Sequence, residues 1–375
     1  MRDLRGDHDM GLLDGSLLLL SIVLAIAAPV ACLLMWNRIS GPVALRYGGR
    51  LGLIAGCQVT ALLLAGLLVN RSFQLYASWD DLFGAGGAGG SVQAAGPAGN
   101  PPVRGRLAVR SAGSRLRFRY DHGSQTYSAT FTGRASGVRS LVRVWLPPEY
   151  GHSAYANARF PVIELFPGYP GTPSTWFNAL HAGQRLREAM RRGQAKPYIL
   201  VAPTITVQPG RDTECTDIPR GPQVATWLTT DIRQVMTENF RVLPGAESWA
   251  TMGYSTGGFC AAKLAEQHPA MFRAGVSLAG YFAPASPDLT RDPVLARANN
   301  AYELLGTGPA VSLLLAGTAQ DGDTVSLVTL MSKAARPPTQ IFTYIVPRGG
   351  HNAHVWQEML PKAYEWISER LVGPT

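Results

Sequence analysis

Residues 252–259 read MGYSTGGF, and within them Ser255 is flanked two residues away on either side by Gly253 and Gly257. A serine hydroxyl so placed can attack a carbonyl carbon if a base takes its proton and donors meet the oxygen that becomes negative. In a chain with glycine at 41 positions, G-x-S-x-G arises by chance roughly 0.3 times, so the pattern alone decides little. Position decides more. The segment 248–253 (SWATMG) has the content of a short strand and 256–268 has helical spacing, which puts Ser255 on a strand-to-helix turn. At such an elbow the serine backbone is strained, and the residues two before and two after it must be small. The helix N-terminus also points free N–H groups at the reaction centre. Gly253 and Gly257 satisfy the steric condition, and Gly258 adds clearance against the sheet. A tight packing turn with no chemistry is the competing reading.

The hydroxyl needs a base near neutral pH, and histidine supplies it. Of seven histidines, His351 and His354 follow the last apolar strand-like run in VPRGGHNAHVW. His351, directly after two glycines that let the loop turn closely, is the expected base; His354 is expected on the surface of the final helix. Two histidines alone do not make a metal site, so H-N-A-H is not read as one. An orienting acid between serine and histidine in chain order falls in GTAQDGDT, where Asp321 is preferred and Asp323 is the rival. Whichever of the two is not used would cap the following helix. Two backbone N–H groups complete the set: that of Thr256, after the nucleophile, and that of Tyr169, in FPGYPG.

Strand-like and helix-like segments alternate to position these residues. Strands are expected at 126–132, 140–148, 161–166, 198–202, 248–253, 274–278, 311–316 and 341–346. Helices are expected at 176–192, 225–240, 256–268 and 355–371. Apolar runs without period-2 polarity fit strands buried on both faces, and the alternation predicts an α/β fold with a mainly parallel sheet flanked by helices.

These stretches together carry a family resemblance. FPGYPG, WATMGYSTGG with HPAMF downstream, GTAQD and RGGHNAHVW resemble the putative-esterase branch of the α/β-hydrolases, which includes esterase D-like enzymes, enterochelin esterases and mycolyltransferases. The resemblance covers roughly residues 120–373. It implies an α/β-hydrolase fold, an acyl-serine intermediate and no cofactor. The matching positions are Ser255, Asp321 or Asp323, and His351, with donors at Tyr169 and Thr256. The segment RDTECTD (211–217) follows the strand at 198–202, near where a substrate would enter. Its acids either line the acceptor side or form a solvated loop pinned by Cys215.

The N-terminal part is of another kind. Residues 17–36 are 20 without a charge and residues 51–69 are 19 more, each long enough to cross a bilayer as a helix. The expected organisation is a tail (1–16), a membrane helix (17–36), a cytoplasmic loop (37–50) carrying Arg38, Arg46 and Arg50, and a second membrane helix (51–69). A juxtamembrane segment and Gly/Ala/Pro linker (70–105) then leads to an esterase domain (106–375). Both termini would lie outside the cytoplasm, so Cys215 and Cys260 are expected to form a disulfide there. The net charge is +9, with nine arginines against Asp121 alone between Arg104 and Arg143. Attraction to an anionic surface is one reading of that stretch; solvated strand faces, as in RLRFRY (115–120), are the preferred one. A domain outside the membrane leaves nucleic acid a poor partner. The expected activity is hydrolysis of carboxylic esters, lipids and cell-envelope glycolipids being among the candidate substrates. An acyltransferase moving the acyl chain to a sugar or lipid hydroxyl is the rival, and a noncatalytic binding module is the third class.

Overall fold

The computed structural model describes residues 15–73, 116–319, 321, 324–347 and 351–375. The chain divides into two units, residues 1–86 and 87–375. In the first, helix α1 (Gly15–Met35) and helix α2 (Val43–Phe73) pack on one another, Leu17 and Leu18 meeting Leu67. Both helices are long and apolar enough to cross a membrane, and their apolar side chains face outward as well as inward, Leu33 being 79% exposed. Helix α2 starts well before residue 51. Arg46 and Arg50, read from sequence as loop residues, lie in its first turns, and the Arg50 guanidinium sits 4.9 Å from the Trp36 ring. Valine, alanine and leucine at 43–45 let the helix begin there.

The second unit is built on a nine-stranded sheet in the order β1-β2-β3-β5-β4-β6-β7-β8-β9. Strands β1 (Arg119–Asp121), β2 (Thr126–Thr132) and β3 (Arg139–Trp145) are antiparallel, and β3 pairs antiparallel with β5 (Ile199–Pro203). From β5 onward the sheet is parallel through β4 (Val162–Phe166), β6 (Trp249–Tyr254), β7 (Ala274–Leu278), β8 (Ser312–Thr318) and β9 (Gln340–Val346). Strands β4 to β8 are buried at every position, which explains why their runs are mostly apolar and show no period-2 polarity. This is an α/β-hydrolase-like architecture, with β6 at the middle of the parallel part.

Two helical expectations change in detail. The run 176–192 is broken into α3 (Pro173–Asn178) and α4 (Ala182–Arg191) by His181, whose φ is +51°. The break lets Gly183 pack on Trp145: a Cβ there would meet the indole nitrogen at 2.5 Å. Apolar spacing continues across the interruption, so periodicity could not reveal it. The run 225–240 contains a π-helical stretch, Trp227–Asp231, before α5 (Ile232–Asn239). The widened turn carries Asp231 to the backbone N–H groups of Ala135 and Ser136, at 2.9 and 3.0 Å. In the basic stretch, Leu116 and Phe118 pack against the core while Arg117 and Arg119 face solvent. Arg143 pairs with Asp121 at 2.9 Å. These contacts fit the strand-face reading. Residues 1–14 and the linker at 84–102 lie outside the described residues.

Candidate active site

Ser255 sits between β6 and α6 (Thr256–Gln267) with φ +54° and ψ −126°, a strained region for a residue with a Cβ. The glycine pair makes the turn sterically possible. A Cβ on Gly253 would fall 1.9 Å from the Gly257 carbonyl oxygen, and one on Gly257 would fall 2.1 Å from that of Phe166. The Ser255 N–H donates to the Leu278 carbonyl of β7 at 3.0 Å, fixing the turn to the neighbouring strand. The helix itself is buried on nearly every face, and Thr251 of β6 donates to its Ala261 carbonyl at 2.7 Å.

His351 arrives from the loop between β9 and α8 (Ala353–Ser368), with Nε2 2.9 Å from Ser255 Oγ. Its Nδ1 lies 2.7 Å from Asp321 Oδ2, on the loop between β8 and α7 (Thr324–Ala334). An ionised carboxylate only accepts, so Nδ1 carries the proton there and Nε2 is left to accept from the serine hydroxyl. The imidazole is 41% exposed and the carboxylate 17%. Trp356, one turn into α8, stands edge-to-face with the imidazole at 5.0 Å and stacks on Tyr254 at 4.4 Å, while Tyr254 meets Trp176 of α3 at 5.3 Å. This aromatic row ties the His351 imidazole, the elbow strand and the helix after β4 together, and no sequence spacing announced it. Asp323 lies outside the described residues. His354 is on the surface of α8, 3.6 Å from Glu358.

The loop after β4 passes close above the serine. A Cβ on Gly168 would come 2.9 Å from the Tyr254 ring and 3.1 Å from the Ser255 Cβ, so glycine lets this backbone approach closely. Tyr169 follows it, half-buried. Thr256 opens α6, and its N–H is one of the first-turn donors that no helical carbonyl can take.

On the other side of Ser255 the segment 211–217 is not a solvated loop. Glu214 and Cys215 both have positive φ, +48° and +54°, and Glu214 is 1% exposed. Cys215 is joined to Cys260 of α6 by a disulfide, as expected from sequence. Lys263, on the next turn of α6, is fully buried. Its ammonium donates to the carbonyls of Glu214 (2.7 Å) and Cys215 (3.1 Å), Thr216 Oγ1 (2.7 Å) and Asn299 Oδ1 (3.0 Å). Burial pulls this lysine down to about 7, against the charges of Glu214, Asp217 and Asp212. Burial likewise pushes the Asp212 carboxyl up to about 6. The sequence did carry a signal for the lysine: a lone cation in the otherwise apolar TGGFCAAKLA. Among the described residues no group of three or more His, Cys, Asp or Glu is placed to hold a metal ion.

The model of the family described as "Putative esterase" matches residues 135–367. A Corynebacterium glutamicum protein, Cgl0967/cg1104, named as uncharacterized, is 24% identical over 242 residues, 60% of this chain and 56% of that protein. The chain therefore spans little more than half the length of that relative. Among solved structures, an S-formylglutathione hydrolase from Agrobacterium tumefaciens superposes with a TM-score of 0.58 at 16% identity, covering 68% of this chain and 99% of that one. A ferulic acid esterase gives 0.56 at 17% identity, covering 68% and 100%. FphF, a fluorophosphonate-binding serine hydrolase of Staphylococcus aureus, gives 0.52 at 16% identity, covering 65% and 98%. At these identities the structural likeness speaks for the fold.

Proposed function

The chain belongs to the Putative esterase family, and from that premise we propose that it hydrolyses carboxylic esters through an acyl-serine intermediate. The observation that carries this reading is the pair of contacts made by one imidazole, 2.9 Å to Ser255 Oγ and 2.7 Å to Asp321 Oδ2. In the first step Ser255 Oγ bonds to the ester carbonyl carbon while its proton passes to His351 Nε2. The oxygen that turns negative meets the N–H groups of Tyr169 and Thr256. Asp321 holds the Nδ1 proton and balances the imidazolium. Collapse of the tetrahedral species breaks the C–O bond to the alcohol, which leaves with the proton from Nε2. A water then gives its proton to Nε2 and its oxygen to the acyl carbon, releasing the acid and restoring Ser255.

The reading places the esterase domain at 106–375 on the extracytoplasmic side of a membrane, anchored by the two apolar helices. Their length and composition support the anchor, and the Cys215–Cys260 disulfide supports an oxidising compartment. Lipid and cell-envelope glycolipid esters are the substrates such a position brings within reach. The test is product analysis on the full chain in detergent, using esters of graded acyl length with and without a sugar acceptor. Free acid as the sole acyl product, lost in Ser255→Ala, is the expected result. Acyl-sugar as the main product makes the protein an acyltransferase, and turnover that survives Ser255→Ala rejects the mechanism.

A further inference from the structure

Tyr254 ends β6, one residue before Ser255, and is 4% exposed. The turn that carries Tyr169 rests against it. A Cβ on Gly168 would fall 2.9 Å from Tyr254 Cε2 and 3.1 Å from Cδ2, and one on Gly171 would fall 2.8 Å from the Tyr254 hydroxyl. The Gly171 N–H donates to the Gly168 carbonyl at 2.7 Å. Tyr169 is thus held in a closed turn whose two ends both meet this side chain. The same ring stacks on Trp356 at 4.4 Å with 24° between the planes, and Trp356 stands against the His351 imidazole at 5.0 Å. Trp176 of α3 borders the ring at 5.3 Å. Strand pairing with Leu278 of β7 anchors the Tyr254 backbone in the sheet. One side chain therefore touches the 168–171 turn directly and the His351 imidazole through a single indole.

We propose that Tyr254 is a positioning residue for acyl transfer: its ring is the spacer between the Tyr169 turn and the His351 imidazole, so that donor and base meet the same carbonyl group. The inference rests on the esterase reading above. The ring carries the effect, and the hydroxyl does not. That hydroxyl lies beside Thr175 and the Gly168 carbonyl, yet it makes no hydrogen bond of ordinary geometry among the described residues. The Gly168 carbonyl already accepts from Gly171. What remains is close packing, and dispersion between packed atoms weakens steeply over a gap of about 1 Å. A ring in contact on two sides holds both neighbours in place only while it fills the space between them. Catalysis is sensitive on the same scale, since a displacement of about 1 Å at the reacting groups costs roughly 100-fold in rate. A residue that merely filled the core would set stability and leave the chemistry of the folded enzyme unchanged.

The experiment compares Tyr254→Leu with Tyr254→Phe in the full chain in detergent. Leucine lacks the ring that spans turn and indole, whereas phenylalanine keeps the ring and drops only the hydroxyl. The measurements are kcat and KM for p-nitrophenyl acetate, thermal midpoints, and the Ki of phenylboronic acid, a mimic of the tetrahedral species formed on a serine. Tyr254→Leu is expected to lower kcat ~100-fold and to raise the boronate Ki by a similar factor, with KM nearly constant. Tyr254→Phe is expected to restore kcat to within about threefold of wild type. A lower thermal midpoint with kcat and Ki unchanged makes Tyr254 a core filler and overturns the proposal. Equal losses in both variants assign the effect to the hydroxyl and overturn it too, as does a change confined to KM. Should Tyr254→Leu not fold, Trp356→Leu removes the second contact from outside the elbow. It is expected to lower kcat ~10-fold at constant KM, and an unchanged kcat there overturns the proposal. Ser255→Ala run alongside separates the two readings. If it keeps turnover, the esterase mechanism itself fails; if it is inactive while Tyr254→Leu keeps its kcat, only the role of Tyr254 fails.

Discussion

Ser255 and the start of α6 have on either side a loop that carries carboxyl groups, one meeting His351 and the other meeting Thr256, and the two are held in opposite ways. On the side of β8 and β9, Asp321 and His351 sit on partly exposed loops: one hydrogen bond joins the imidazole to Ser255, one joins it to Asp321, and one aromatic contact sets it against Trp356. On the side of β5, Asp212 and Glu214 belong to a buried segment fastened to α6 by a disulfide and by a fully buried ammonium with four acceptors. The strand order explains the arrangement: β6 is central, with β4 and β5 on one side and β7, β8 and β9 on the other. In the proposed mechanism the side that moves protons is open and lightly framed, whereas the side that holds α6 is closed and clamped. Substitutions on the open side should therefore cost activity with little loss of stability, and those on the closed side should do the reverse.

The largest effect expected is on the open side. His351→Ala should lower kcat by roughly 10⁵-fold, and Asp321→Asn by about 10⁴-fold, with thermal midpoints close to wild type. Ester turnover and calorimetry on the same preparations check both halves of that statement. A kcat loss of less than tenfold for Asp321→Asn would move the acid to another residue, Asp323 first. On the closed side, removing the disulfide by the paired Cys215→Ser, Cys260→Ser change opens a link spanning 45 residues. Loop entropy alone puts the cost at about 4 kcal/mol, to be read from denaturant midpoints with and without reductant. Lys263→Met comes next. It leaves the Glu214 and Cys215 carbonyls, Thr216 Oγ1 and Asn299 Oδ1 without their shared donor, and should cost about 3 kcal/mol. If either closed-side change spared stability while abolishing activity, the contrast between the two sides would dissolve.

The contacts and elements that the sequence made legible are those governed by a local rule. Ser255 follows from a steric rule acting over five residues. His351 and Asp321 follow from chain order and from loops at strand ends. The strands β4 to β8 follow from mostly apolar runs without period-2 polarity, as a sheet covered on both faces requires. The residues it missed owe their roles to packing between distant segments. Trp356 acts by stacking on Tyr254, Tyr281 by reaching across to Glu214, and the break at His181 by the fit of Gly183 on Trp145. The acids at 211–217 were noticed, but no local feature distinguished a solvated loop from a buried clamp. Lys263 is the exception, since a cation in the middle of a helix with no polar face already implies a buried partner set.

The central claim is that Ser255 is the residue that becomes acylated. Reaction of the full chain with a fluorophosphonate probe, followed by peptide mass spectrometry, tests it most directly. The account predicts a single phosphonyl adduct on the peptide containing Ser255, absent in Ser255→Ala and formed far more slowly in His351→Ala. An adduct on any other residue, or none in a preparation that still turns over ester, would contradict it.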